Sequence, residues 1–244
     1  MLVSTRGIVL RHFKYNDNSI ICKIYTEELG IRSYMVNGVH SKKSSGKLAL
    51  FQPLTLLDMV VYNNEKLQLQ RIKEVVCSEA LKQIHPHVVK SSMALFVAEV
   101  LLKTIREEEP NVPLFNFTVH FIRELDKRQA GYADMHLIFL MELTRYLGFY
   151  PKEETFSEGA WFDMPEGRFV VRQPLHSSRA EPILAALMHR LTQAGYADSG
   201  KLGLNGSMRA ALLDKLLLYY AIHLEGMGSI NTAEVLKMVF SGDN

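Results

Sequence analysis

Apolar and polar residues alternate with a period of two over much of residues 1–80, which is the pattern of strands with one buried face. Five short strands are predicted, within residues 3–13, 19–26, 30–39, 55–62 and 66–70. In the third strand the alternation places Arg32 and Tyr34 on the same face. The alternation breaks at Arg71-Ile72, which indicates a bulge or a strand end.

The remaining chain follows the period of helices. Residues 88–109 contain no Gly or Pro and carry a wide apolar stripe, which Pro110 and Pro113 are expected to end. The other predicted helices span residues 114–128, 132–148, 180–194, 207–225 and 231–240. Gly148 is a candidate C-terminal cap, and Asn205 and Asn231 are candidate N-terminal caps.

The two periodicities predict an α+β fold with a domain boundary near residue 80. Residues 1–80 are expected to form a five-stranded barrel of the oligonucleotide-binding (OB) type, since that fold has this number of short strands. Residues 81–244 are expected to form an α-helical domain with a second core. Within it, residues 156–172 indicate a small β-hairpin insertion around a turn at Pro165-Glu166-Gly167.

Composition excludes several classes of protein. The chain has 244 residues, of which 48% are hydrophobic and 22% charged, so it is expected to fold. Its two cysteines, Cys22 and Cys77, exclude a disulfide scaffold and a four-cysteine zinc site, and their apolar context predicts that both are buried. No phosphate-binding loop or nucleophile elbow is present, so ATP hydrolysis by this chain is not expected.

The compartment is expected to be the cytoplasm. No apolar run approaches the roughly 18–20 residues of a membrane span, so no membrane partner is expected. The first residues lack the basic and apolar regions of a signal peptide.

Positive charge is concentrated in the first strands. Residues 1–50 contain eight Lys or Arg against three Asp or Glu, whereas the whole chain has a net charge of +2. Single-strand binders need cations along a groove for phosphates and flat rings for bases. A basic loop at residues 39–47 and nearby basic and aromatic residues match that need, and the candidate DNA-binding residues are Arg11, Lys14, Arg32, Tyr34, His40, Lys42, Lys43 and Lys47.

Two other interpretations remain open from the residues alone. In the first interpretation, the helical domain is a docking scaffold that recruits partner proteins, and the DNA affinity of the barrel is incidental. A cationic groove with Arg123, Lys127 and Arg128 would then take an acidic peptide tail, although any solvated helix face can show this spacing. A hydrolase or nuclease is the third interpretation, for which Asp17 and Glu27-Glu28 do not form a convincing carboxylate cluster.

Several motifs, in order along the chain, resemble the bacterial recombination mediator family RecO. The similar segments are residues 15–30 (YNDNSIICKIYTEELG), residues 36–44 (VNGVHSKKS), residues 51–55 (FQPLT), and His223-Leu224-Glu225-Gly226 with Ser229 and Leu236. Each motif alone is weak, but their order and spacing are fairly specific and extend over essentially the whole chain.

The resemblance implies a non-enzymatic DNA repair protein of the RecF pathway, with no cofactor, that is associated with the nucleoid in the cytoplasm. A member of that family binds single- and double-stranded DNA through its OB fold and anneals complementary strands. With RecR it assists the loading of RecA onto DNA coated by single-strand-binding protein (SSB), whose acidic C-terminal tail docks on the helical domain.

Two departures from the family pattern affect these expectations. Many relatives carry a four-cysteine zinc module, but the matching stretch after residues 147–151 has no cysteine, so the hairpin at Trp161 is expected to replace the metal with an apolar contact. Relatives often have Arg where this chain has His40, which is mostly neutral at neutral pH; Lys42 and Lys43 could compensate.

Overall fold

The computed structural model describes residues 1–39, 46–64, 66–105 and 109–241. The chain divides into two compact units, Met1–Asp126 and Lys127–Asn244. The change from strands to helices occurs at Glu79, close to the predicted boundary, but the first unit continues through two helices beyond it. A domain boundary near residue 80 therefore stays a prediction.

The first unit contains the predicted five-stranded barrel. Its strands are β1 (Leu2–Asn16), β2 (Ser19–Thr26), β3 (Gly30–Asn37), β4 (Leu56–Tyr62) and β5 (Leu69–Glu79). The barrel closes in the order β1-β2-β3-β5-β4, and only the β3–β5 pair is parallel. A short 3-10 helix, Lys47–Phe51, lies between β3 and β4. The confirmed fold class is α+β, because helices follow the barrel.

Strand β1 pairs with both of its neighbours. Its first half, Leu2 to Ile8, pairs with β4, and its second half, Gly7 to Asn16, pairs with β2. Both pairings include Gly7, where an added Cβ would lie 2.6 Å from Met59 Cε and 2.7 Å from Ile24 Cγ2. Glycine is therefore required at this position by the close packing of the barrel interior.

A one-residue bulge in β1 changes which side chains point outward. Val9 pairs with Ile24, but the next pair is Arg11 with Lys23, so Leu10 is the extra residue. Before the bulge Val9 faces the core and is completely buried, and after it His12 pairs with the buried Cys22. Arg11 consequently faces outward, although simple alternation from Val9 would turn it inward.

Two helices complete the first unit, α1 (Val88–Thr104) and α2 (Val112–Lys127). Pro113 lies in the first turn of α2, so the prediction that it ends the preceding helix is wrong; proline is tolerated there because the first-turn N–H groups have no intrahelical acceptor. The Asn111 side chain caps α2 by accepting from Leu114 N at 3.1 Å. The Tyr25 and Phe115 rings, 5.5 Å apart, join α2 to the outside of the barrel.

Tyr34 belongs to the barrel core, and this corrects its prediction as a base-stacking residue. Its side chain is completely buried, on the same inward side as Cys22 and Gln70, to which it is paired across neighbouring strands. Burial raises the pKa of its hydroxyl well above the ordinary value. That hydroxyl has no hydrogen-bond partner among the residues that the structure describes.

Replacing Tyr34 by phenylalanine is expected to change the free energy of unfolding by less than about 1 kcal/mol, because a buried hydroxyl without a partner contributes little. Tyr34→Ala is expected to lower it by about 3–5 kcal/mol through loss of the ring from the core. Chemical denaturation of both variants checks this. A large loss of DNA affinity in Tyr34→Phe, with unchanged stability, would contradict the assignment to the core.

The described part of the second unit, residues 127–241, contains four α-helices and a small sheet. The helices are α3 (Met135–Tyr146), α4 (Pro182–Thr192), α5 (Gly206–His223) and α6 (Thr232–Ser241). The strands are β6 (Trp161–Asp163), β7 (Arg168–Val170) and β8 (Arg179–Ala180), in the order β7-β6-β8. The predicted hairpin is thus present, and β8 adds a third strand that is too short to show a period.

Two predicted caps of the second unit, Asn205 and Gly148, are confirmed, and the cap predicted at Asn231 stays a prediction. Asn205 Oδ1 accepts from Met208 N at 2.9 Å at the start of α5. Gly148 has φ +84 after α3, and Phe149 N donates to Thr144 O at 3.0 Å, which is the hydrogen bond of a Schellman cap. The hairpin has an apolar interior, in which the Phe162 ring lies 4.9 Å from that of Phe169 and 5.3 Å from that of Tyr219.

A polar group of the second unit is held neutral in the core. His136 is 1% exposed and stacks on Phe240 at 5.2 Å. Burial, together with the positive charge of Arg209, lowers the pKa of His136 to about 3. Arg209 Nε itself donates to Asp134 Oδ1 at 2.7 Å, and Asp134 is completely buried.

The buried His136 makes folding dependent on pH. Below its ordinary pKa of about 6.5 the unfolded chain binds a proton that the folded chain excludes until about pH 3. The contribution of His136 to the free energy of unfolding is therefore fully present above about pH 6.5. Below this pH the free energy of unfolding falls by up to about 1.4 kcal/mol per pH unit.

His136→Phe is expected to flatten this dependence between about pH 6.5 and 5, since it removes the titrating group but keeps an aromatic ring. Urea denaturation of the wild type and the variant across this range measures the difference in slope. Equal slopes would show that His136 does not titrate in this way.

Candidate nucleic-acid interface

An outward face of the barrel is defined by the strand register. Side chains of paired residues point to the same side of a sheet. Arg11 pairs with Lys23, and two residues further along the strands Phe13 pairs with Ile21, Ile21 with Met35, and Met35 with Arg71. The alternate residues Cys22, Tyr34 and Gln70 are buried in the interior. We call Arg11, Phe13, Lys23 and Arg71 the cationic face.

The cations of this face are available to a ligand. Among the described residues, the side chains of Arg11, Lys23 and Arg71 donate no hydrogen bond. No carboxylate oxygen lies within 4 Å of their nitrogen atoms, so they form no ion pair there. Phe13 is 43% exposed, and Tyr15, at the end of the same strand, is 57% exposed. Large exposed rings beside cations can stack on bases while the cations contact phosphates.

The predicted DNA-binding residues have different surroundings. Arg11 lies on the cationic face. Lys14 is exposed at the β1–β2 turn, where Nζ contacts Asp17 Oδ1 at 2.9 Å. Lys47 is half-buried and its Nζ donates to Asn37 O at 2.7 Å. Arg32 is half-buried and lies on the inward side of β3 with Tyr34.

Three further predicted residues, His40, Lys42 and Lys43, lie outside the described residues. The sequence interpretation also missed two members of the cationic face. Lys23 is separated from Arg11 by 12 positions, and only the β1–β2 register shows that they are neighbours. Arg71 was assigned to a break in the pattern; the structure places the bulge two residues later, at Lys73, and continues β5 to Glu79.

The predicted partner-binding residues are on and next to α2. Arg123 donates to both carboxylate oxygens of Glu79, from Nε at 3.1 and 3.0 Å. These hydrogen bonds hold the pKa of Glu79 below its ordinary value. Lys127 is exposed at the last residue of α2, and Arg128 follows it with partial exposure. An acidic ligand at Arg123 would have to displace Glu79.

No metal site is formed by the described residues, among which no three His, Cys, Asp or Glu side chains are grouped to hold an ion. Cys22 is buried as predicted, and burial raises the pKa of its thiol. The prediction for Cys77 is wrong, because its side chain is exposed near the end of β5, where Sγ donates to Glu79 O at 3.1 Å. Among the helices of the described chain, none combines the length and apolar character of a membrane span.

A closed five-stranded barrel with this strand order and a face of cations and exposed rings defines an OB-type nucleic-acid-binding protein. Comparison with known families agrees with this class. The model of the N-terminal domain of recombination protein O matches residues 1–80, and that of its C-terminal domain matches residues 85–229. The chain belongs to the RecO family of DNA repair and recombination proteins.

Similar curated proteins cover nearly the whole chain. The DNA repair protein RecO of Bacteroides fragilis is 39% identical over 241 residues, which are 98% of this chain and 100% of that protein. Those of Phocaeicola vulgatus and Flavobacterium psychrophilum are each 37% identical, over 99% of this chain and 100% of the relative. The resemblance that the sequence motifs indicated is therefore confirmed.

Removal of the exposed rings is expected to weaken single-strand binding. Phe13→Ala and Tyr15→Ala should each lower the affinity for a single-stranded oligonucleotide about five- to hundredfold, which corresponds to roughly 1–3 kcal/mol per stacked base. Fluorescence anisotropy with a labelled oligonucleotide measures it. Phe13→Tyr and Tyr15→Phe are the matched controls, because each keeps a ring. Unchanged affinity in both alanine variants would remove the rings from the interface.

Proposed function

We propose that this protein binds single- and double-stranded DNA through the cationic face and anneals complementary strands. In repair it would act as a mediator that, with a RecR-like partner, assists the loading of RecA on DNA coated by SSB. The acidic tail of SSB would dock on the helical part of the chain, at Arg123, Lys127 and Arg128. Family membership supports the general role in DNA repair and recombination.

The observation that carries the proposal is the composition of the cationic face. Arg11, Lys23 and Arg71 come from three strands, and the closure of the barrel brings them to one side. Phosphates are the abundant anions of DNA, and their neutralisation releases counterions, which supplies most of the sequence-independent affinity. Lys14 and Lys47 are proposed to extend this contact. Tyr34 is not part of it because it is buried, and Arg32 is not because it lies on the inward side of β3.

Annealing requires no covalent chemistry in this proposal. Two complementary strands repel each other because both are polyanions, and the repulsion is strongest at low ionic strength. A protein that neutralises phosphates of one strand lowers this repulsion for the second strand. The exposed rings would hold bases apart from their neighbours and leave their pairing edges free for the incoming strand.

The test is oligonucleotide binding over a salt series without nucleotide or metal. The logarithm of the wild-type affinity is expected to fall linearly with the logarithm of the salt concentration. Each of the substitutions Arg11→Ala, Lys23→Ala and Arg71→Ala should reduce the slope by about 0.7 for single strands and about 0.9 for duplex, and weaken all sequences alike. Arg172→Ala, an exposed arginine of the second unit, is the matched control and should change neither.

Two outcomes would contradict the proposal. If the three variants retain the wild-type slope, the cationic face does not contact phosphates. If the wild type does not bind DNA even at low salt, the alternative function is favoured, in which the helical part recruits repair partners and the barrel has no DNA role.

A further inference from the structure

The barrel has a second outward face, with the opposite charge. This face is formed by the first half of β1, by β4 and by β5, which lie in that order in the sheet. The turn after β2 lies at its border. This part of the surface contains a cleft of about 520 Å³. We call it the acidic cleft; the charged side chains at its lining are Arg6, Glu27, Glu28, Asp58 and Glu74.

The charges of the cleft do not cancel. Arg6 is its one cation among the lining residues, and it is already engaged, since its Nε donates to Glu27 Oε2 at 2.7 Å and its guanidinium also contacts Asn116 at 2.9 Å. Glu28 and Asp58 are exposed, and their carboxylates form no hydrogen bond or ion pair with any described residue.

Glu74 has only a weak partner, Lys73, at 3.3 Å, in a pair whose two side chains are 43% and 65% exposed. The cleft therefore has several carboxylates that attract a cationic partner.

The cleft also exposes apolar surface. Val76 on β5 is 60% exposed, and it is paired with Asp58 on β4. Val60 is half-buried beside Glu74. An exposed β-branched side chain between carboxylates favours an occupant that combines cations with an apolar or aromatic group.

The same chain carries such a surface elsewhere on the outward side of the barrel, and the two adjoin on β5, where Arg71 and Glu74 lie three residues apart. The cationic face has Arg11, Lys23 and Arg71 around the exposed Phe13. We propose that the acidic cleft of one copy receives the cationic face of a second copy of this chain. Cations would meet the carboxylates of Glu28 and Asp58, and the ring of Phe13 would cover Val76.

Because two different surfaces meet, the contact is heterologous and leaves one free face on each end of a dimer. Exposed ion pairs contribute about 0–1 kcal/mol each, so the association is expected to be weak and sensitive to salt. DNA uses the cationic face in the proposed function, and it would then compete with self-association. Only this competition depends on the proposed function; the self-association does not.

Sedimentation velocity of the full chain tests the proposal. At about 50 mM salt the mean mass should rise with protein concentration. At about 500 mM it should return to that of a monomer, because the Debye length is shorter at high salt and the exposed charges are screened. The double variants Glu28→Gln/Asp58→Asn and Arg11→Gln/Lys23→Gln each lose the charges of one of the two faces and should each remain monomeric. Lys201→Glu, an exposed charge of the second unit, should associate like the wild type.

Mixing the two double variants gives the sharpest result. Each retains the face that the other lacks, so the mixture should form dimers and stop there, because no free pair of intact faces remains. Thermal melting of each variant confirms that it is folded. A wild type that stays monomeric at about 50 mM salt overturns the proposal, as does a mixture that stays monomeric although the wild type associates.

Addition of an unlabelled single-stranded oligonucleotide should dissolve the wild-type assemblies. If DNA binds and the assemblies persist although the variants behave as expected, DNA uses another surface, which overturns the competition and the assignment of DNA to the cationic face but not the self-association. If DNA does not bind but the variants behave as expected, the self-association stands and the proposed DNA function fails.

Discussion

The pairing of β1 with two different strands is the constraint on which the rest of the barrel depends. Its first half is held by β4 and its second half by β2, and the two pairings overlap only at Gly7 and Ile8. The bulge at Leu10 then reverses the inward and outward positions for the second half. As a result, Arg6 and Arg11 both face outward, but at different parts of the surface.

The α+β class, the barrel and most helices could be predicted from the sequence because they follow from local periodicity. The inward face of β3 could not, since both of its faces mix polar and apolar residues. Tyr34 shares a face with Arg32, as the alternation predicted, yet that face is the interior. Closure of the barrel decides the direction, and closure is not a local property of β3.

The candidate site was predicted in part for a related reason. Composition identified a basic first segment, and Arg11 lies on the outward face that we assign to DNA. Lys23 and Arg71 join it only through the β1–β2 register and the parallel β3–β5 pair. Parallel pairing between strands that are distant in sequence leaves no short-range signal, and a one-residue bulge in a strand has none either.

The separation of charge on the barrel has a consequence for motion in the field of a polyanion. A net charge of +2 for the whole chain would attract DNA only weakly. On the outward side of the barrel the cations Arg11 and Lys23 are separated from the carboxylates of Glu28 and Asp58, so the field of DNA exerts a torque on the barrel. The protein would therefore be turned before contact, so that collisions begin with the cationic side leading. Orientation during approach, and not the total charge, would then set the fraction of encounters that succeed.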